Sequence, residues 1–213
     1  MAEPAADTYT QTRWCLHGLA ELVLAGPRFR QTGDLRLRVR AEGIGTWDAP
    51  VLSLAGGELV TPDSRIGVDG LTISEVAGKV GLVASPLDDV YTDGPHVAPS
   101  ETVRLDPESV RVMEEAFTLG DQALHEFQPG AERILWPEHF DVATTVDEVN
   151  FGVSPGDGHC DRPYAYVGPH HAVTGDFWNA PFGASRLVAD LGDVAGITAF
   201  FREGAALAAP ARP

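Results

Sequence analysis

Phe140-Asp141-Val142-Ala143-Thr144-Thr145-Val146-Asp147-Glu148-Val149-Asn150-Phe151-Gly152-Val153 carries the clearest strand signal in the chain. Phe140, Val142, Thr144 and Val146 repeat at every second position, which is the period of a strand with one face packed and the other turned away. The acidic pair Asp147-Glu148 interrupts the pattern, and residues 149–153 resume it. A third strand is offered by residues 164–167, so the stretch predicts an antiparallel meander. By the same alternation, His139, Asp141, Ala143 and Thr145 share the face opposite Phe140, making His139 and Asp141 neighbours on one strand.

Working outward, helices are expected on both sides of this sheet. Asp106 as N-cap and Pro107 at the first helical position open a long helix to Phe127, with Val110, Met113, Phe117, Gly120, Leu124 and Phe127 as its apolar stripe. Pro129-Gly130 stops it and marks a junction between an N-terminal half and the half from 131 to 204. Near the start, Thr12 can cap a helix carrying Trp14, Leu16, Leu19, Leu22 and Val23, ended by Gly26-Pro27. Leu191, Val194, Ile197, Phe200 and Phe201 form an amphipathic closing helix. Between them, Leu35, Leu37 and Val39 alternate with three arginines, Gly56-Gly57 suits a tight hairpin, and Thr72-Ile73-Ser74-Glu75 reads as a capping box. Residues 85–100 read as a long surface loop and a candidate lid. The expectation is an α+β fold: an antiparallel β-sheet with N-terminal, central and C-terminal helices in a single compact unit over 12–204, with a disordered lead at 1–11 and a flexible tail at 205–213.

Composition narrows the function classes. The 213 residues, 44% hydrophobic with mean hydropathy −0.06, suffice for a packed core. A net charge of −16 and a pI of about 4.6 argue against nucleic acid or an anionic membrane as partner. Only Cys15 and Cys160 are present, which is no disulfide framework, and no apolar run approaches a bilayer span. A cytoplasmic location is expected. Lys79 is the sole lysine, and the Arg, Ala, Gly and Val bias suggests a GC-rich bacterial genome.

The chemistry-bearing residues gather between 135 and 183, a stretch with four of the seven histidines. A site of two histidines and one carboxylate needs its ligands on one face. His139 and Asp141 supply two, and His159, His170 or His171 the third, with a divalent metal ion as candidate cofactor. Cys160 or Ser154 beside a histidine base offers a metal-free alternative, although neither stands in a nucleophile elbow. Aromatic walls with a few polar groups also suit a binding pocket, for which Trp136, His139, Asp141, Asn150, Tyr164, Tyr166, Trp178 and Asn179 are the candidate residues. Three readings follow: a small-molecule-binding protein with an aromatic, His/Asp-lined pocket; a metal-dependent enzyme of hydrolase or oxygenase type; and a non-catalytic structural or protein-interaction module.

The words Leu135-Trp136-Pro137-Glu138-His139-Phe140-Asp141, Asp147-Glu148-Val149-Asn150-Phe151-Gly152, Tyr164-Ala165-Tyr166-Val167-Gly168-Pro169 and Phe177-Trp178-Asn179-Ala180-Pro181-Phe182-Gly183 resemble a group of uncharacterised actinobacterial proteins. The Trp-Pro-x-His-Phe-Asp phrase also resembles one in another bacterial domain of unknown function. The resemblance implies a bacterial source and carries over no catalytic residue.

Overall fold

A computed structural model describes residues 5–209 of the chain. The fold is α+β, with antiparallel strands and N-terminal, central and C-terminal helices. Packing groups the chain into two compact units, Met1–Glu115 with Leu135–Phe140, and Ala116–Ile134 with Asp141–Pro213. The boundary is therefore not at Pro129-Gly130, which is a turn inside the second unit.

In the first unit, helix α1 (Ala6–Leu19) runs without interruption into a π-helical segment, Ala20–Ala25, and then into α2 (Gly26–Thr32), which ends on the left-handed Gly33. The expected start at Thr12 and stop at Gly26-Pro27 are both corrected. Helix α1 already includes residues 6–11, expected to be a disordered lead, and residues 1–4 lie outside the described chain. Thr12 is instead buried, its hydroxyl accepting from Asp106 N at 3.1 Å. Pro27 is tolerated because the π-segment shifts the hydrogen-bond ladder by one residue. Gly26 N donates to Glu21 O, so Leu22 O would next require a donor from Pro27, which has none. Ser85 N supplies it at 3.0 Å. Gly26 makes that approach possible, since a Cβ there would stand 1.8 Å from Ser85 O.

Six short strands complete the unit in the order β5-β4-β3-β2-β1-β6, all antiparallel: β1 (Leu37–Val39), β2 (Ile44–Thr46), β3 (Ser53–Ala55), β4 (Glu58–Val60), β5 (Arg65–Gly67) and β6 (Ile134–Trp136). The β3–β4 hairpin turns on Gly56 and Gly57, both at positive φ as a type I′ turn requires. Helix α3 (Ile73–Lys79) opens with the full Thr72/Glu75 capping box. The π-segment packs on β2 and α3, placing Leu22, Val23 and Leu24 in the core. The 85–100 loop, a candidate lid in the sequence, is anchored to the unit: Leu87 and Val97 are buried, and Trp14 Nε1 donates to Pro95 O at 3.0 Å.

Helix α4 (Pro107–Phe127) begins in the first unit and ends in the second; Ser109 N and Oγ both bond the Asp106 carboxylate at 2.8 Å, fixing its start. The second unit is the meander β7 (Asp141–Val146), β8 (Val149–Ser154), β9 (Tyr164–Pro169) and β10 (Ala184–Leu187), followed by the short α5 (Val188–Leu191) and by α6 (Val194–Ala208). Helix α6 continues through Ala208, so residues 205–208 are helix and not tail; residues 210–213 lie outside the described chain. Two glycines let helices approach the sheet. A Cβ at Gly120 of α4 would meet Val153 and Val142 at 2.7 and 2.9 Å, and one at Gly204 of α6 would meet Val167 at 2.7 Å. Phe127, Phe151 and Phe201 interlock between helices and strands, with centroids 4.5 to 5.9 Å apart.

Candidate functional site

The meander register sets which side chains meet. Ser154 lies opposite Tyr164, Gly152 opposite Tyr166, and Ala143 opposite Gly152, so these residues share the sheet face away from Phe151. Asp141 continues the β7 row beside Ser154. Gly152 is what allows Tyr166 to cross β8, since a Cβ there would stand 2.6 Å from the Tyr166 ring and hydroxyl. The phenol thereby reaches β7 and donates to Oδ2 of the buried Asp141. Tyr164 donates to Asp157 Oδ2 at 2.5 Å. Burial, and secondarily these carboxylates, hold both phenols far above the ordinary tyrosine value, so they remain neutral donors.

Asp157 organises the loop that follows β8. Its Oδ1 accepts from His159 N at 2.8 Å and Cys160 N at 3.2 Å, while Ser154 Oγ accepts from Gly156 N at 3.0 Å. The His159 ring packs edge-on against Phe182 at 4.9 Å and shares a 3.2 Å hydrogen bond with Ser185 Oγ. Asn179 spends both ends of its amide on Ser185, donating to its carbonyl and accepting from its N–H. In the 154–160 loop and at Asn179 the side-chain groups named satisfy the backbone and one another, which fixes these loops.

The expected His139/Asp141 pair does not form on a strand. His139 lies in the turn 137–140, where Phe140 N bonds Trp136 O and Phe140 takes a φ of +53°, so the period of two begins only at Asp141. His139 is exposed, with Glu138 at 3.9 Å, and it belongs with Trp136 to the first unit, whereas Asp141 belongs to the second. Phe140 stacks on His17 at 4.9 Å, and His17 Nε2 bonds Pro137 O at 2.7 Å. Of the other metal candidates, His159 is committed to Ser185 and Phe182, His170 bonds Asn150 Oδ1 at 3.1 Å, and His171 lies in a separate groove. Among the described residues no group of three or more His, Cys, Asp or Glu side chains is placed to hold a metal ion.

That groove is an open cavity of the second unit, about 890 Å³, between the β7–β8 turn, the 171–178 loop and the end of α6. Phe127, Phe151, Val149 and Trp178 form its apolar wall, and Asp147, Glu148 and His171 its ionisable edge. Of the eight expected pocket residues, Trp178 is the one that lines it. Asp147 and Glu148 read in the sequence as an acidic pair between two strands, and Phe127 as helix core; only their meeting in space makes them one surface. A second feature missed in the sequence is Glu21, buried on the π-segment. Its carboxylate accepts from Leu87 N at 3.2 Å and from Tyr91 Oη at 2.8 Å, and burial pushes it above the ordinary carboxylate range.

Comparison with known proteins returned no family model, no curated protein and no solved structure that matches the chain. Among the described residues no helix is long and apolar enough to cross a membrane.

Proposed function

We propose that this protein binds a small organic molecule, and that its site is the groove of the second unit. The observation that supports this is one cavity of about 890 Å³, within the size range of ligand sites, walled by Trp178, Phe127 and Phe151 with few polar groups at its edge. Of the aromatic residues expected from the sequence to wall a pocket, Trp178 takes part, joined by Phe127 and Phe151. Asp141, Tyr164 and Tyr166 serve the fold, and Asp147, Glu148 and His171 face the ligand.

A direct test is a two-dimensional amide NMR titration with 2-phenylethanol, a neutral aromatic probe of nine non-hydrogen atoms. At the efficiency usual for small ligands its dissociation constant is about millimolar. Saturable shifts concentrated at 146–149, 171–174 and 205–209, abolished in Trp178→Ala, are expected. Linear shifts scattered over the surface, indifferent to Trp178→Ala, would remove the proposal.

A further inference from the structure

Resting on that groove, we infer that its ligand is an organic cation: an apolar, preferably aromatic, body bearing an ammonium group. Three features of the second unit converge on this class. The wall includes the half-buried aromatic rings of Trp178 and Phe127, backed by the buried Phe151, and such rings attract a cation as well as bury its hydrocarbon. The edge carries two carboxylates, Asp147 and Glu148, while no arginine or lysine is among the described lining residues. Neither carboxylate has a hydrogen-bond or ion-pair partner among the described residues, so both are available to an incoming charge.

The placement of these two acids is set by the β7–β8 connection. Residues 147 and 148 are the two central positions of a hairpin loop, Val146 pairing directly with Val149, with φ of +49° and +61°. Their carboxylates are thus carried on the shortest possible connection between two packed strands. The same turn is tied to the 171–178 side of the groove, because Glu148 O accepts from His170 N at 2.9 Å. The turn that carries the two acids thus borders the same groove as Trp178, its backbone held on both sides. An anionic ligand would face that edge unpaired, and a neutral one would gain at most a hydrogen bond from it.

The experiment is a matched series of one aromatic body with three end groups: 2-phenylethylamine, 2-phenylethanol and 3-phenylpropionate, titrated by NMR at low ionic strength and pH 7. The amine is expected to bind about tenfold tighter than the alcohol, the sum of a cation–π contribution and two exposed charge contacts. The propionate is expected to bind more weakly than the alcohol. In the double variant Asp147→Asn/Glu148→Gln the amine should fall to the affinity of the alcohol, whose own binding stays within about twofold, and 0.5 M NaCl should narrow the preference in the unaltered protein. Equal binding of all three probes, or a preference for the propionate, would overturn the cation assignment and leave the groove as a binding site. Failure of all three to bind would overturn both.

Discussion

His17 shows how one enclosed ring makes stability depend on pH. Burial, with Arg13 and His139 nearby, lowers its pKa from 6.5 to about 4, and the neutral ring donates from Nε2 to Pro137 O. Because the folded pKa lies below the unfolded one, the unfolded chain takes up the proton first. The stabilisation is complete above pH 6.5 and is lost as pH falls toward 4. Between pH 7.5 and 5 this amounts to about 2 kcal/mol. The expected result is that His17→Gln, which keeps a side-chain N–H but cannot titrate, flattens the fall in urea midpoint over that interval; parallel curves for the two proteins would refute it. His96 acts in the opposite sense, since Asp88 at 2.7 Å raises its pKa and the favourable charge is lost at high pH. None of this is visible in the sequence. His17 looks like any helix residue until Pro137 and Phe140, 120 and more positions away, close over it.

At the scale of elements, local signals were readable and those set by distant contacts were not. The capping box at Thr72 and Glu75, the Gly56-Gly57 hairpin, the Asp106-Pro107 helix start and the antiparallel β7–β8–β9 meander are decided within a few residues and stand as expected. Both faces of β7 and β8 are largely buried, however, where one was expected to be turned away. The strand at β10 was missed because Ala184-Ser185-Arg186-Leu187 has no marked alternation and is held by pairing with β9. The His139-x-Asp141 face failed because a left-handed Phe140 breaks the period, and its side chain is drawn to His17. The β7–β8 turn is the element with the most to test. Two non-glycine residues at positive φ cost energy that Asn-Gly would not. Asp147→Asn/Glu148→Gly should therefore raise unfolding free energy by about 0.5–1 kcal/mol while weakening the amine preference of the groove. Denaturant titration checks the first effect and the phenylethylamine titration the second; a gain in both, or a loss in both, would contradict the account.

For the whole molecule, the net charge of −16 is the dominant long-range feature. Several arginines are already paired locally, Arg30 with Asp89, Arg65 with Glu42 and Glu58, and Arg111 with Glu108 and Glu115, which leaves a large surplus of carboxylates. Self-repulsion among them opposes compaction, and salt screens it over about 10 Å at 0.1 M. The midpoint of thermal unfolding at pH 7 should rise by several degrees between 10 and 500 mM NaCl; a fall would mean that the local pairs outweigh the surplus. Composition made this much legible. The aromatic richness of residues 135–183 was also legible, but not its division, some rings closing the Tyr–Asp network and others lining the groove.

The π-helical segment at Ala20–Ala25 gives the chain a fixed reading frame in three dimensions. It holds one residue more per turn than the helices on either side, and that surplus is matched elsewhere by Ser85, whose N–H takes the place of the one Pro27 lacks. Deleting one residue from 20 to 25 would restore an ordinary helix with its flanks near their present orientation, because the wide turn already absorbs the extra residue. Adding or removing one in the α-helical flanks would instead rotate one end against the other by about 100°. Such a rotation would carry Gly26 off the Ser85 carbonyl, or the Glu21 carboxylate away from Leu87 and Tyr91. Through the Leu22 carbonyl, the length of the helix is thus tied to a segment sixty residues away in the chain.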